Sequence, residues 1–325
     1  MTGAGIEDFT VVSSGFTNAP AVSSVAQISG TSGSEYTVTV SGGDLASGNG
    51  TVALQVDSPA TIYDLAGNVV ADRFTAGDES FTVDNASPTI SSIAAAGTGA
   101  FTVGDSIAFT VTLSEDMQAN GALRLTLNTG ETVTVSGSEG DTLTGTYTVT
   151  SSATDVADLE VSAIELGSAT DTNVPTDIAG NAMAAVTVES GDHVFTSIEI
   201  DTTDPADLSG MDVSNDNGAS ATDDITDNTA LDTTALTNAG LDTGAGTETS
   251  TTTYYALTNA GTGTSGWVTS TTALSFDGTG QTGTSNTVYY KQIDAAGNES
   301  NVSSYTFTYD DTDPSVSDLT SPSGT

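Results

Sequence analysis

The chain has 325 residues, with three Lys+Arg against 43 Asp+Glu and a formal net charge of −40. Such a field repels nucleic acid and anionic membrane surfaces and attracts cations. The absence of cysteine removes disulfides, thiolate metal sites and cysteine nucleophiles from consideration.

No run approaches the roughly 18 apolar residues of a membrane span, and "MTGAGIEDFT" has neither a basic nor an apolar leader region. The expectation is a soluble stretch, or a piece of a longer secreted chain, with no direct membrane insertion. Acidic chains are disordered when apolar residues are scarce, but 36% of this one is hydrophobic and those residues are patterned. In "YTVTV" the residues Tyr36, Val38 and Val40 alternate with threonine. The same period of two runs through "TVALQV" (Val52, Leu54, Val56), "IAFTVTL" (Ile107, Phe109, Val111, Leu113), "ALRLTL" (Leu123, Leu125, Leu127) and "SYTFTY" (Tyr305, Phe307, Tyr309). Alternation predicts half-buried strands, and the Gly, Ser, Asn and Asp clusters between them predict turns. No helical periodicity stands out. Many short strands rich in Thr and Val predict an all-β protein of packed antiparallel sheets.

One pentapeptide pattern recurs three times: "DLAGN" at Asp64, "DIAGN" at Asp177 and "DAAGN" at Asp294. A last strand and an acidic, proline-containing segment follow each copy: "FTVDNASP" with Pro88, "IEIDTTDP" with Pro205, and "FTYDDTDP" with Pro314. These prolines recur at intervals near the roughly 100 residues of an Ig-type sandwich. They mark stiff, non-helical linkers between tandem units. The boundaries predicted are 1–84, 85–203, 204–312, and a short 313–325 segment that opens a following unit or serves as a donor strand. Unit 1–84 is short at its beginning, as if its first strand or strands were absent. Either the chain is cut from a longer array out of phase with its domains, or the tail of one copy completes the first unit of another.

The middle unit, from "SPTISSIAAAGTGAFTVGDSIAFTVTLSEDM" to "DIAGNAMAAVTV", resembles the Ig-like repeats of very large bacterial surface proteins. The third, with "VSNDNGASATDDIT" and "YYKQIDAAGNES", resembles a related bacterial Ig-like type found in biofilm-associated and RTX-type adhesins. In unit 1–84, "YTVTVSGGDLASGNGTVALQV" followed by "YDLAGN" fits the later part of such a repeat. The resemblance implies tandem Ig-like β-sandwich domains in a linear array at the cell surface, with calcium at or near the domain junctions making the array stiff.

Calcium (Ca2+) takes six to eight oxygen ligands from carboxylates, carbonyls, amides and water, which flexible turns supply. Asp201 and Asp204 stand beside the third unit, where Asp212, Asp216, Asp223, Asp224 and Asp227 follow, with Gly218 allowing a bend. No helices flank them, so an inter-strand or interdomain site fits better than a helical calcium loop. Asp84 and Asp310 occupy the other two linkers. Each Asp-x-Ala-Gly-Asn reads first as a turn, with Gly at positive φ and Asp capping its own backbone. A second reading has Asp177 and Asp294, like Asp64, sharing an ion with a linker aspartate. For every one of these aspartates the alternative is a solvated acidic surface.

Chemistry is weakly represented. His193 is the only histidine, so no second imidazole builds a zinc site and no Gly-x-Ser-x-Gly elbow accompanies it. Arg73, Arg124 and Lys291 are isolated from one another, and Trp267 reads as a core residue or as a sugar-stacking platform. The function expected is that of a non-enzymatic structural extender or stalk of an extracellular surface adhesin. Its partners are neighbouring repeats of the same protein. The alternative is a self-assembling surface filament, or surface-layer subunit, joined by donated strands between copies.

Overall fold

A computed structural model of the chain describes residues 3–31, 35–57, 60–70, 79–118, 120–167, 173–213, 216, 220, 222–226, 231–232, 237–238, 251–257, 264–269, 283–310, 312–313 and 315. The fold is all-β. The only helical element among the described residues is one 3-10 turn at Ile6–Asp8. Of the predicted features, Arg73, Asp227, Gly218, Pro314 and residues 316–325 lie outside the described residues.

The first run of strands comprises β1 (Phe9–Ser14), β2 (Ala21–Gln27), β3 (Tyr36–Ser41), β4 (Gly50–Val56) and β5 (Ser80–Val83). β1 lies antiparallel on β4, and β4 on β5, while β2 and β3 pair separately. Burial alternates strictly along β1 and β3, as their sequences require. β4 departs from strict alternation: Val52, Ala53 and Val56 are buried and Leu54 only half-buried, so both of its faces carry cover. The buried cluster here is small, formed by Val56, Ala60 and Ile62.

The next run comprises β6 (Ile90–Ala95), β7 (Gly99–Phe101), β8 (Ser106–Met117), β9 (Gly121–Leu127), β10 (Thr132–Gly137), β11 (Gly140–Thr148), β12 (Leu159–Leu166), β13 (Val194–Phe195) and β14 (Ile198–Ile200). Seven of these make one sheet in the order β13-β12-β9-β10-β11-β8-β6, and β14 pairs in parallel with β7. The alternating residues Ile107, Phe109, Val111 and Leu113 of β8 and Leu123, Leu125 and Leu127 of β9 are the centre of its core. Between those leucines Arg124 faces outward and pairs with Glu165, its cross-strand neighbour on β12. Gly145 is required by close approach: a Cβ there would collide with the carbonyl of Thr134.

The last run comprises β15 (Leu208–Ser209), β16 (Asp212–Val213), β17 (Ile225–Thr226), β18 (Leu231–Asp232), β19 (Thr237–Asn238), β20 (Thr252–Ala256), β21 (Thr284–Ile293) and β22 (Ser303–Tyr309). A four-stranded sheet runs β17-β22-β21-β20, with β17 parallel to β22. It buries Leu208, Met211, Tyr255, Val288, Tyr290, Phe307 and Tyr309. Every named strand pairing stays within one of these three runs.

The first two runs share a topology in part. β1 on β4 corresponds to β9 on β12, β4 on β5 to β12 on β13, and β2 on β3 to β10 on β11. "YTVT" even recurs at Tyr36 in β3 and at Tyr147 in β11. Among the described residues the first run has no counterpart of β6, β7 or β8. Among the described residues, no strand pairs with the edge of β3 that corresponds to the β8-bearing edge of β11.

Candidate functional site

The three Asp-x-Ala-Gly-Asn segments adopt one turn. Flanking residues close it by antiparallel bridges, Tyr63 to Val69, Thr176 to Ala182 and Ile293 to Glu299. The glycines take positive φ (Gly67 87°, Gly180 99°, Gly297 106°), which a Cβ would oppose. The Asp carboxylate caps the loop: Oδ1 accepts the Asn backbone N–H at 2.8 Å in the first copy, 2.7 Å in the second and 2.8 Å in the third. In the first two copies the Asn side-chain amide also donates to Oδ2, at 2.8 Å in each.

What differs between copies is what lies against the turn. Asn181 Nδ2 donates to the backbone carbonyl of Asp84 at 3.0 Å, and Asn298 Nδ2 donates to that of Asp201 at 3.2 Å. Both pairs are 97 residues apart in the chain. Covered by its linker, Asp177 is 1% exposed and Asp294 8%, whereas Asp64 and Asn68 are exposed.

The linker aspartates are themselves alike. Asp84 Oδ1 accepts the N–H of Ala86 at 3.0 Å, Asp201 Oδ1 that of Thr203 at 3.1 Å, and Asp310 Oδ1 that of Thr312 at 3.0 Å. The residue after each of the first two is held by the preceding run of strands. Asn85 donates its N–H to Asn49 and its amide to the carbonyl of Gly48, and Thr202 donates to Asp155. The chain at 84–85 and at 201–202 is thus held from both sides, by residues before it and by the turn that follows.

At the first junction the turn and linker bring three carboxylates together. One oxygen each from Asp84, Glu115 and Asp177 lies within 4.8 Å of the others. Met117 of β8 bridges Asp177, and Glu115 is two residues back, on the same face of the strand. Burial pushes the Glu115 carboxyl up, and the charges of Asp84 and Asp177 push it further. Burial also acts upward on Asp177, but hydrogen bonds from the Asn181 side chain, the Asn181 N–H and the Gly180 N–H outweigh it and hold the group below the usual carboxylate range. An all-oxygen donor set with uncompensated negative charge suits a hard cation such as Ca2+, with carbonyls and water completing the shell.

The acidic positions near the third unit separate into groups. Asp201 is buried against the turn of Asp294 and Asn298, and Asp204 is exposed in the linker. Asp216 Oδ2 accepts the N–H groups of Asp223 and Asp224 at 3.0 and 3.3 Å. Asp212 and Asp224 meet at the Tyr305 hydroxyl, which lies 3.0 Å from the first and 2.6 Å from the second. Burial, followed by hydrogen bonding to Asp224 and Asp212, raises the Tyr305 phenol. Asp310 is exposed. Glu115, which no motif singles out, is the residue that sequence reasoning missed. Its signal is its place two residues before a strand end that bridges the motif aspartate.

Other polar groups have structural settings. A surface concavity of about 370 Å³ is lined by Glu131, Thr146, Tyr147 and Thr150 among others. Glu131 accepts the hydroxyls of Thr150 and Ser152, and burial pushes the neighbouring Tyr147 phenol up to about 12. Trp267 is buried, with the Lys291 ammonium 4.9 Å from its ring centroid, and Lys291 pairs with Glu299 at 2.7 Å. His193 is half-buried just before β13, and its carbonyl accepts the N–H of Val161. No helix among the described residues is long and apolar enough to cross a membrane.

No protein-family model matches the sequence, and no curated protein matches it.

Proposed function

We propose that the chain is a structural extender of a large extracellular bacterial surface protein, built of tandem Ig-like β-sandwich domains spanning 1–84, 85–203 and 204–312. Ca2+ bound at or near the junctions would stiffen it. Its immediate partners are its own neighbouring repeats, and it performs no catalysis. The observation that carries this reading is the linker grip: one turn, repeated, holds the incoming linker carbonyl at two successive junctions with the same 97-residue separation. A regular grip at regular intervals is what a spacer needs, because bending concentrates at the joints between folded units. The Asp84–Glu115–Asp177 group supplies the place for a cation, since three close carboxylates repel one another until a counter-ion reverses the sign.

Solution scattering and thermal unfolding in calcium and in chelator, at constant ionic strength, test the proposal. The expected result is a loss of maximum dimension and of stability on chelation. Identical profiles in both buffers would remove calcium from the account.

A further inference from the structure

We propose that the parallel pairing of β7 with β14 is a shear clamp, the contact that holds residues 85–203 folded when the chain is under tension. This rests on the stalk reading, in which tension enters a unit through one linker and leaves through the next. β7 is the second strand of its run and β14 the last, yet they are neighbours in parallel register, Ile198 with Gly99, Glu199 with Ala100 and Ile200 with Phe101. Every other named pairing in that run is antiparallel. Tension draws the early strand towards the incoming linker and the last strand towards the outgoing one, so the two are pulled in opposite senses along their shared axis. Ladder hydrogen bonds run across that axis and yield together, whereas the ladder of an antiparallel hairpin pulled at its open end yields one bond at a time.

The ladder ends on the linker itself. Gly99 donates its N–H to the Ser197 carbonyl at 2.7 Å, and Asp201 donates its own to the Phe101 carbonyl at 3.1 Å. The other edge of β14 is held too, because Ile200 and Val156 exchange two backbone hydrogen bonds at 2.9 Å each. Ile198, Ile200 and Asp201 are buried, which keeps water from replacing a strained bond. Thr202 then donates its N–H and its hydroxyl to Asp155, at 2.7 and 2.8 Å. The third run repeats the arrangement from a different sequence. Its last strand, β22, is parallel to β17, and Asp310 donates its N–H to the Thr226 carbonyl at 2.9 Å, as Asp201 does to that of Phe101. At both places the aspartate that starts the linker closes a parallel pair.

The chain has no cysteine, so pairs of introduced cysteines define where it is pulled. Single-molecule force spectroscopy of the 325-residue chain compares Thr98→Cys/Asp204→Cys, at opposite ends of the parallel pair, with Val103→Cys/Asp204→Cys, at the same end. All three positions are exposed. The first pair should rupture at the higher force and the second, which peels the ladder, at the lower. Glu199 lies between Ser197 and Asp201, both of which bond β7, so by alternation its N–H faces β7 as well. Glu199→Pro removes that donor and should speed rupture of the first pair roughly tenfold at fixed load. Leu125→Ala, in the core on a strand paired with neither β7 nor β14, should lower the thermal midpoint while leaving that rate near its original value. Equal forces in the two geometries overturn the proposal, as do rupture rates that simply follow the thermal midpoints. The comparison of geometries decides the matter should Glu199→Pro not fold. Equal forces would leave the scattering result in chelator untouched, and unchanged scattering there would leave the two forces unequal, so the two readings fail separately.

Discussion

The side-chain amide of Asn181 donates to the carbonyl of Asp84, 97 residues earlier, and Asn298 repeats the contact on Asp201 at the same separation. The segment at Asp84, and likewise that at Asp201, is thereby bound by a turn that lies much further along the chain, so formation of that turn and immobilisation of the segment become one event. Removing a buried amide that satisfies a carbonyl costs about 1–3 kcal/mol. Asn298→Ala should lie in that range, Asn181→Ala at or below it, and Asn68→Ala lowest, because Asn68 is exposed and serves only its own turn. Chemical denaturation of the three variants checks the order. Equal losses would mean that the amides matter only within the turn.

The Asp84–Glu115–Asp177 group gives stability a pH dependence of two signs. Glu115 is raised in the folded state, so its contribution is greatest in acid and is lost as pH rises from its ordinary value of 4.5 through the folded one. Asp177 is lowered, so its contribution is present above 3.8 and is lost as pH falls through the folded value. Glu115→Gln should therefore stabilise the calcium-free protein at neutral pH by up to about 1 kcal/mol, the scale of one exposed carboxylate repulsion. The gain should vanish below pH 4.5, and added calcium should stabilise the wild type more than the variant. Thermal melts across pH, with and without calcium, report all three. A neutral-pH loss for Glu115→Gln in chelator would contradict the repulsion.

Lys291 is 0% exposed in a chain with three basic residues, placed between the Trp267 ring and the Glu299 carboxylate. Truncating one partner of a buried pair strands the other, a penalty of about 3–5 kcal/mol when both are enclosed. Glu299 retains partial exposure, so Lys291→Ala should cost about 2–4 kcal/mol. Lys291→Met restores the packed stem and should recover part of the loss. Trp267 is the only tryptophan, so its fluorescence follows this region alone. An unfolding midpoint that the alanine variant leaves in place would show the pair to be dispensable.

The strands were legible in the sequence because alternation is local. Ile107 to Leu113 and Leu123 to Leu127 lie where period two places them, and the Asp-x-Ala-Gly-Asn turn follows from the φ of its glycine and the reach of its aspartate. Convergence was not legible. Glu115 meets Asp177 only because β8 ends in a bridge to the motif, 62 residues on along an unrelated stretch of chain. Asp212 and Asp224 are gathered by a tyrosine 81 residues beyond the second of them, which composition does not connect to either. Lys291 reads as a polar strand residue. Its burial depends on a hairpin that returns Glu299 beside it and on Trp267, which arrives from another part of the chain.

Separate cores predict separate transitions. Phe109 is 0% exposed and meets Phe195 edge-on, with ring centroids 5.7 Å apart at 80°, inside a cluster confined to residues 90–200. Phe109→Ala removes that contact and leaves a cavity, at a cost of about 3–5 kcal/mol. The cluster around Tyr290 and Phe307 shares no member with it, so Phe109→Ala should lower one calorimetric transition and leave the tryptophan-detected one near its original midpoint. Lys291→Ala should do the reverse. If either substitution moved both transitions equally, the units would unfold as one cooperative body. The junction grip would then be strong enough to couple neighbouring cores rather than merely align them.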